Sequence, residues 1–236
     1  MKSRTWLLSN IGVISVGTAL TLVVLIESIF PPWAPYFILY AVLAILIPLV
    51  LRTYQFGAFG KVLKDHWKLT LGIFAIAVIW DIGITTWLYE RILASLGVSG
   101  DPFYSLNVAL AALADAAALK FRITPDTAMM LYALFILIWA PVGEELFYRG
   151  YIQGVLRQSQ SFTVSTLISA AFFSIRHATH FFFLWPNVPL VAAASWVAGT
   201  FVFGLLMSYL YEKTRSLYPP MLVHVGINLV EIVLST

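Results

Sequence analysis

Cysteine is absent from this chain of 236 residues, and only 11% of its side chains are charged. The missing cysteine excludes a disulfide scaffold, thiol catalysis and zinc ligation by thiolates. The scarcity of charge excludes an ordinary soluble domain, in which about 25% of the residues are charged. Disorder is excluded as well, because 61% of the residues are hydrophobic and the mean hydropathy is +0.89.

Long apolar stretches are present instead, and they indicate a protein whose solvent is lipid, since one helical span needs about 20 apolar residues. We predict an all-α, polytopic transmembrane bundle with seven spans, at residues 6–30, 34–51, 69–89, 127–143, 163–183, 189–211 and 219–235. Residues 103–121 are apolar and alanine-rich but carry polar side chains, so they form either an eighth span or an interfacial helix. We treat residues 1–236 as one membrane domain, with N-terminal helices in 1–126 and the polar motifs in 127–235.

The distribution of lysine and arginine predicts the orientation of the bundle. With seven spans, ten of these residues lie on the side of the amino terminus, three lie on the opposite side, and one lies within a span. An eighth span at residues 103–121 would change the ratio to eight against five. The positive-inside rule therefore favours seven spans in the plasma membrane, with a cytoplasmic amino terminus. The net charge of +3 is explained by this orientation, and no nucleic-acid partner is predicted.

Ionisable residues inside spans are candidate functional residues, because each costs about 2.5–3.5 kcal/mol at a helix centre. The first group is Glu144-Glu145-Leu-Phe-Tyr-Arg149, which follows Pro141 and Gly143. The proline and the glycine predict a kinked or loosened helix. Glu145 and Arg149, at i and i+4, are spaced for an ion pair, which leaves Glu144 for another task. The alternative is an interfacial helix end with one salt bridge and one solvated acid.

The second group is Phe173-Ser-Ile-Arg176-His177-Ala-Thr-His180, within an otherwise apolar span. His177 and His180, three residues apart, are predicted to face one cavity. The alternative is a histidine that bonds a neighbouring carbonyl and an arginine that pairs with a carboxylate. Three carboxylates are candidates for that pairing: Asp81, Glu145 and Glu231.

The third group is His224-Val-Gly-Ile-Asn228, followed by Glu231. Positions i, i+4 and i+7 lie on one face of a helix. The alternative is interhelical hydrogen bonding that only supports packing, which is common for histidine and asparagine in membranes.

Together the groups place a carboxylate, a histidine and a histidine–asparagine pair on three spans that can surround one cavity. A glutamate can take a proton from water. Histidine and asparagine can donate hydrogen bonds to an oxyanion, each donor being worth about 3–4 kcal/mol. This chemistry defines a buried acid–base site. It also fits a proton-coupled transporter that uses Asp81, Glu144 and Glu231, although no inverted repeat supports one.

The three motifs, Glu-Glu-x-x-x-Arg, Phe-x-x-x-His and His-x-x-x-Asn, are complete and in order, and residues 127–235 resemble the CPBP family. That family comprises CAAX prenyl proteases of the Ras-converting type and the Abi group of bacteriocin-processing or immunity proteins. The resemblance implies an intramembrane endopeptidase that cleaves near the carboxyl terminus of a prenylated CAAX-type or other membrane-anchored substrate. The alternative is a non-proteolytic scaffold or immunity protein on the same fold, which has no need of a complete set of motifs.

The resemblance also implies a role for each motif residue. Glu144 would activate a water molecule, and His177 would bind and orient it. His224 and Asn228 would form the oxyanion hole. No covalent acyl-enzyme is expected, because no serine, threonine or cysteine matches a nucleophile position. No cofactor is required; if zinc is bound, its ligands would be Glu144, His177 and His224.

The neighbouring polar residues have supporting assignments. Glu145 and Arg149 would form an ion pair that fixes the helix, and Arg176, His180 and Glu231 would lie in a second layer around the site.

The predicted span boundaries conflict with a shared site. They place Glu144 and His224 near the cytoplasmic ends of their spans, and His177 beyond the middle of its own. A shared site requires that the fourth span continues beyond Gly150, or that the fifth begins earlier or bends.

Overall fold

The computed structural model describes residues 7–29, 34–97, 115, 118–119, 121–183 and 189–234, and among these the side chains of 26–29, 34–38, 132 and 179–183 are excepted. All regular structure in these residues is helical, so the predicted all-α class is confirmed. The helices are α1 (Asn10–Ile29), α2 (Ala34–Leu51), α3 (Phe59–Ser95), α4 (Pro125–Leu156), α5 (Phe162–Phe183), α6 (Leu190–Thr214) and α7 (Tyr218–Leu234).

Three of these helices, α3, α4 and α6, are long and apolar enough to cross a membrane. Shorter apolar helical stretches are Asn10–Leu25, Leu39–Leu51 and Tyr218–Leu234. Large apolar side chains such as Ile11, Val50 and Ile79 are exposed on the helices, as expected for a surface in contact with lipid. The number of seven crossings stays a prediction, and most of residues 103–121 lie outside the described part of the chain.

Two of the long helices contain wide turns with π-type hydrogen bonding. In α3 the wide segment is Ile79–Thr86, and in α4 there are two, Phe135–Trp139 and Glu145–Gln153. Such segments are rare in proteins, and those that occur are often found at functional sites. Both wide segments of α4 adjoin the short α-helical stretch Ala140–Glu144, which contains Pro141.

The second half of α4 is the central element of the bundle. Every residue of Glu145–Gln153 is buried, and the segment packs against α1, α2, α5 and α6. Its aromatic residues Phe147, Tyr148 and Tyr151 form a hydrophobic core with Phe173 of α5. Polar side chains on this half of α4 therefore find their partners inside the bundle, on α4 itself or on neighbouring helices.

The predicted fourth span, residues 127–143, is too short. The helix continues from Pro125 to Leu156, because the charged residues that were interpreted as its end are buried and paired inside the bundle. This extension places Glu144 twelve residues before the end of α4. His177 lies fifteen residues after the start of α5, the helix that follows, so both are near mid-bundle and the conflict in depth disappears.

Candidate active site

Glu145 lies at the centre of the polar network. Its side chain is fully buried, and its Oε1 accepts hydrogen bonds from Arg149 Nη1 at 3.0 Å and from His224 Nδ1 at 2.9 Å. Arg149, also fully buried, donates from Nη2 to the carbonyl of Gly204 at 3.1 Å and lies over the ring of Phe173. Glu145 thus joins the first and third motifs, beyond the single ion pair that its spacing with Arg149 predicts.

Glu144 is buried and has a cationic partner, although the sequence pattern left it unpaired. Arg176 Nη1 lies 3.3 Å from Glu144 Oε1, and His224 Nε2 lies 3.8 Å from Glu144 Oε2. The latter distance is too long for a direct hydrogen bond. The partner of Arg176 is therefore Glu144, which was not among the three carboxylates predicted for this pairing. One oxygen of Glu144 faces a guanidinium, and the other faces an imidazole.

The protonation of His224 follows from its contact with Glu145. A carboxylate paired with a guanidinium only accepts hydrogen bonds, so His224 Nδ1 carries a proton and donates it. In the neutral ring, Nε2 then has a lone pair directed towards Glu144. When the ring is an imidazolium, Nε2 becomes a donor at the same place.

His177 bonds the backbone of its own helix, as the structural alternative for the second motif anticipated. Its Nδ1 lies 2.7 Å from the carbonyl oxygen of Phe173, which can only accept, so Nδ1 donates and a neutral ring presents Nε2 as an acceptor. The Phe173 ring contacts both site histidines, with centroid distances of 4.4 Å to His177 and 5.9 Å to His224. This shared ring brings the second and third motifs together.

Asn228 donates a hydrogen bond to the backbone carbonyl of Ile136, which lacks a helical N–H partner because of Pro141. Asn228 Nδ2 donates to Ile136 O at 2.9 Å. In this wide turn of α4, the N–H of Ala140 bonds to the carbonyl of Phe135, five residues back. The next bond in that register would join residue 141 to Ile136, but Pro141 has no N–H. The second proton of the Asn228 amide stays available for another acceptor.

Of the remaining assigned residues, Glu231 is the one whose side chain the structure describes, and it lies at the margin of the site. Glu231 of α7 interacts with the carboxyl group of Asp81 in the wide segment of α3. It is therefore part of a carboxyl pair next to the motifs. The side chain of His180 lies outside the described residues, so its predicted place in the second layer is untested.

A metal ion fits poorly in this arrangement. In the described part of the chain, no group of three or more histidine, aspartate or glutamate side chains is arranged to hold one. In addition, the Arg176 guanidinium contacts the carboxylate of Glu144, which is the only anionic member of the predicted zinc set. Divalent zinc and a guanidinium at one carboxylate would repel each other.

A narrow cleft lies beside Glu144. Its walls come from α2, α4 and α5, and they include Tyr40, Trp139 and Arg176. The space is on the scale of a single water molecule, so a peptide substrate would have to separate these helices.

The buried pair at the centre of the network yields a stability prediction. In Arg149→Met the Glu145 carboxylate loses its cation while it remains buried, so we expect a loss of about 3–5 kcal/mol of unfolding free energy. Arg157→Met is the matched control, because Arg157 pairs with Glu212 in a partly exposed position, and we expect a loss of about 0–1 kcal/mol. Denaturant unfolding in detergent measures both. Equal losses in the two variants would contradict the central role of Arg149.

Sequence reasoning missed two residues of this network. Tyr148 lies within the first motif at a position that the motif leaves variable, and Tyr40 lies in an apolar helix without any motif. The phenolic oxygens of Tyr40 and Tyr148 are 3.0 Å apart, and Tyr40 lines the cleft. The only available signal was an aromatic residue with a polar group inside an apolar span, and this pattern is common at membrane interfaces.

The comparisons with known proteins agree with this geometry. Residues 126–230 match the family model described as Type II CAAX prenyl endopeptidase Rce1-like. This range extends from the first turn of α4 into α7 and includes all three motifs. No curated protein and no solved structure gives a significant match. Over residues 126–230 the chain is therefore similar to the Type II CAAX prenyl endopeptidase Rce1-like family, a family of membrane proteases, and this similarity together with the three apolar helices indicates an integral membrane protein.

Proposed function

We propose that this protein is an intramembrane endopeptidase that cleaves near the carboxyl terminus of prenylated CAAX-type substrates or other membrane-associated substrates. The observation that carries the proposal is the position of Glu144. It is a buried carboxylate with one oxygen on Arg176 and the other facing His224, while Glu145 fixes the opposite nitrogen of His224. A structural ion pair alone would not need the second carboxylate and the oriented imidazole.

In the proposed reaction, Glu144 removes one proton from a water molecule while the water oxygen bonds to the carbonyl carbon of the scissile peptide. His177 accepts a hydrogen bond from the same water through Nε2. The tetrahedral intermediate then breaks its carbon–nitrogen bond, and Glu144 returns the proton to the leaving amine. The products are a new carboxyl terminus and a released carboxyl-terminal peptide.

His224 and Asn228 are assigned to the oxyanion that develops on the carbonyl oxygen. Asn228 has one amide proton left after its bond to Ile136, so it can donate to the oxyanion without a change of protonation. His224 must carry protons on both nitrogens to donate from Nε2, and this nitrogen lies 3.8 Å from Glu144 Oε2. Donors prepared in a water-poor site are the arrangement that stabilises such an anion most effectively.

The route uses no metal ion, and no step of the proposed reaction depends on one. The contact between Arg176 and Glu144 supports this choice, because it neutralises the carboxylate that zinc would need.

We propose that the protein lies in the plasma membrane with its amino terminus in the cytoplasm. The turns after α2, α4 and α6 meet at one end of the bundle, where the N–H of Leu217 bonds to the carbonyl of Gln55. Four basic residues lie in these turns or directly beside them: Arg52, Arg157, Lys213 and Arg215. An excess of lysine and arginine is typical of cytoplasmic loops.

The test is a cleavage assay with purified protein in detergent. The substrate is a farnesylated CAAX peptide with a fluorophore and a quencher on either side of the scissile bond, offered with and without a metal chelator. We expect cleavage that the chelator leaves unchanged. The unprenylated peptide serves as the control for lipid recognition and is expected to be cleaved more slowly.

Two outcomes would change the proposal in different ways. Cleavage that the chelator abolishes and zinc restores would replace the metal-free route by one in which Glu144, His177 and His224 hold the metal. A folded protein that cleaves neither this peptide nor a membrane-anchored peptide without a prenyl group would contradict the protease assignment.

A further inference from the structure

A chain of buried polar side chains connects α2 with Glu144. The hydroxyls of Tyr40 and Tyr148 are 3.0 Å apart, and the Arg176 guanidinium lies over the Tyr40 ring, 5.3 Å from its centroid. Arg176 in turn contacts Glu144 Oε1 at 3.3 Å. The first member, Tyr40, comes from the part of the chain that precedes the matched family region.

All four residues are buried, with exposed fractions of 5% or less. Burial of a guanidinium, a carboxylate and two hydroxyls carries a desolvation cost, and a buried ion pair is often no more stabilising than apolar residues of the same volume. Stability alone is therefore a weak reason for this arrangement. A requirement for a defined orientation is a stronger one.

The orientation in question is that of the Glu144 carboxylate. A carboxylate can rotate about its last bond, and an oxygen that serves as a base must be aimed at the water. Arg176 occupies Oε1, so that Oε2 is the oxygen that faces His224. The N–H groups at the edge of a planar guanidinium can hold a carboxylate, while the flat face of the guanidinium lies on an aromatic ring.

We propose that Arg176 is a positioning residue for Glu144, and that Tyr40 and Tyr148 hold the Arg176 guanidinium in place. The inference rests on the proposed function, since it concerns how Glu144 is aimed at water. It adds that α2, outside the matched region, takes part in the site through Tyr40. Arg176 does not act as a base itself, because a guanidinium stays protonated.

The first test is kinetic, with the farnesylated peptide as the substrate. We expect Arg176→Gln to lower kcat by about 10²-fold with KM changed by less than about twofold, because a misplacement of ~1 Å can cost that much rate. Arg176→Lys keeps the charge without the planar fork and is expected to recover about tenfold of the loss. Arg157→Gln is the matched control, since it removes an arginine from an ion pair away from the site.

The hydroxyl of Tyr40 is tested through its dependence on Arg176. Tyr40→Phe keeps the ring under the guanidinium and is expected to lower kcat by about three- to tenfold. Because Tyr40 acts through Arg176, the double variant Tyr40→Phe/Arg176→Gln should be no slower than Arg176→Gln alone. If the loss of kcat in the double variant equals the product of the losses in the two single variants, the proposed chain of contacts is contradicted.

A second test does not depend on proteolysis. Dicyclohexylcarbodiimide modifies buried carboxyl groups in their protonated form, and a buried carboxylate without a cation takes up a proton. We expect mass spectrometry to find Glu144 unmodified in the wild type and in Arg176→Lys, and modified in Arg176→Gln. Equal modification in all three proteins would overturn the inference.

The two tests separate this inference from the proposed function. An active wild type together with a fully active Arg176→Gln would reject the positioning role and leave the protease assignment standing. An inactive wild type would reject the protease assignment, and the carbodiimide labelling would still decide whether Arg176 controls Glu144.

Discussion

Glu144→Gln is expected to lower the cleavage rate of the farnesylated CAAX peptide by about 10³-fold or more. The amide has nearly the same shape as the carboxylate but cannot take a proton from water, and loss of a general base costs about 10²–10⁴-fold. The reaction also loses the group that returns a proton to the leaving amine. The measurement is kcat/KM in the fluorescence assay, with the wild type measured in parallel.

The substitution has a structural consequence that must be separated from the catalytic one. Arg176 would remain buried without its carboxylate, and breaking one side of a buried pair costs about 3–5 kcal/mol. The double variant Glu144→Gln/Arg176→Met removes both charges, so it should regain most of this stability. It should not regain activity, because the base is still missing.

Two further outcomes give the prediction its limits. Glu144→Asp keeps a base but withdraws it by one methylene, so we expect partial activity rather than none. A folded Glu144→Gln protein with near wild-type activity would exclude Glu144 as the base. The water would then need another activating group, and the neutral imidazole of His177 has an acceptor nitrogen at Nε2.

Hydrophobicity alone predicted the helical class, and the motif positions predicted which helices meet. The reason is that both depend on local sequence: a span is visible as an apolar run, and an ionisable residue within it is conspicuous because of its cost. The contacts of Glu145 with Arg149 and of His224 with both glutamates place these residues in one network. Their catalytic roles are still predictions.

The extent of α4 was not predictable by the same reasoning. Charged residues normally mark the end of a span, and Glu144, Glu145 and Arg149 were interpreted in that way. In the structure they are paired inside the bundle, which removes much of the cost of burial. Whether a charge is paired depends on neighbours that are distant in sequence, such as Arg176 for Glu144.

Pro141 and Gly143 predicted a loosened helix, but the sequence did not reveal the register of the wide turns or the aromatic partners. In the wide turns of α4 the hydrogen bonds join residues five apart, whereas an α-helix joins residues four apart. No residue pattern in Phe135–Trp139 predicts that change. Tyr40 is one of many aromatic residues in apolar helices. Its contact with Arg176 of α5 depends on how α2 packs against α4, so it is a property of the tertiary structure.

Pro141→Ala is expected to make the protein more stable and less active. Alanine is favoured over proline inside a helix by up to about 3 kcal/mol, so the melting temperature in detergent should rise. The new N–H of residue 141 can bond to Ile136 O, which completes the wide turn of α4 by one more hydrogen bond. That carbonyl is the acceptor that holds Asn228.

The Ile136 carbonyl can accept two hydrogen bonds, but a bond shared with the helical N–H holds the Asn228 amide less firmly, so the oxyanion donor proposed for it is less well aimed. Loss of one such donor costs about 10²–10³-fold in kcat, so partial misorientation should cost about 10- to 100-fold. KM should change little, because the donor acts on the transition state. The matched control is Pro48→Ala, which changes a proline inside α2 and should leave kcat unaltered.

The double variant Pro141→Ala/Asn228→Ala decides whether the proline acts through Asn228. Asn228→Ala alone should lower kcat by about 10²–10³-fold. If Pro141 serves only to leave Ile136 O available to Asn228, the double variant should be no slower than Asn228→Ala. A further loss in the double variant would mean that the proline shapes α4 for another member of the site, most directly Glu144, three residues later. Unchanged kcat in Pro141→Ala would mean that the Asn228 amide keeps its position without a proline at 141, and that the wide turn before Glu144 serves packing alone.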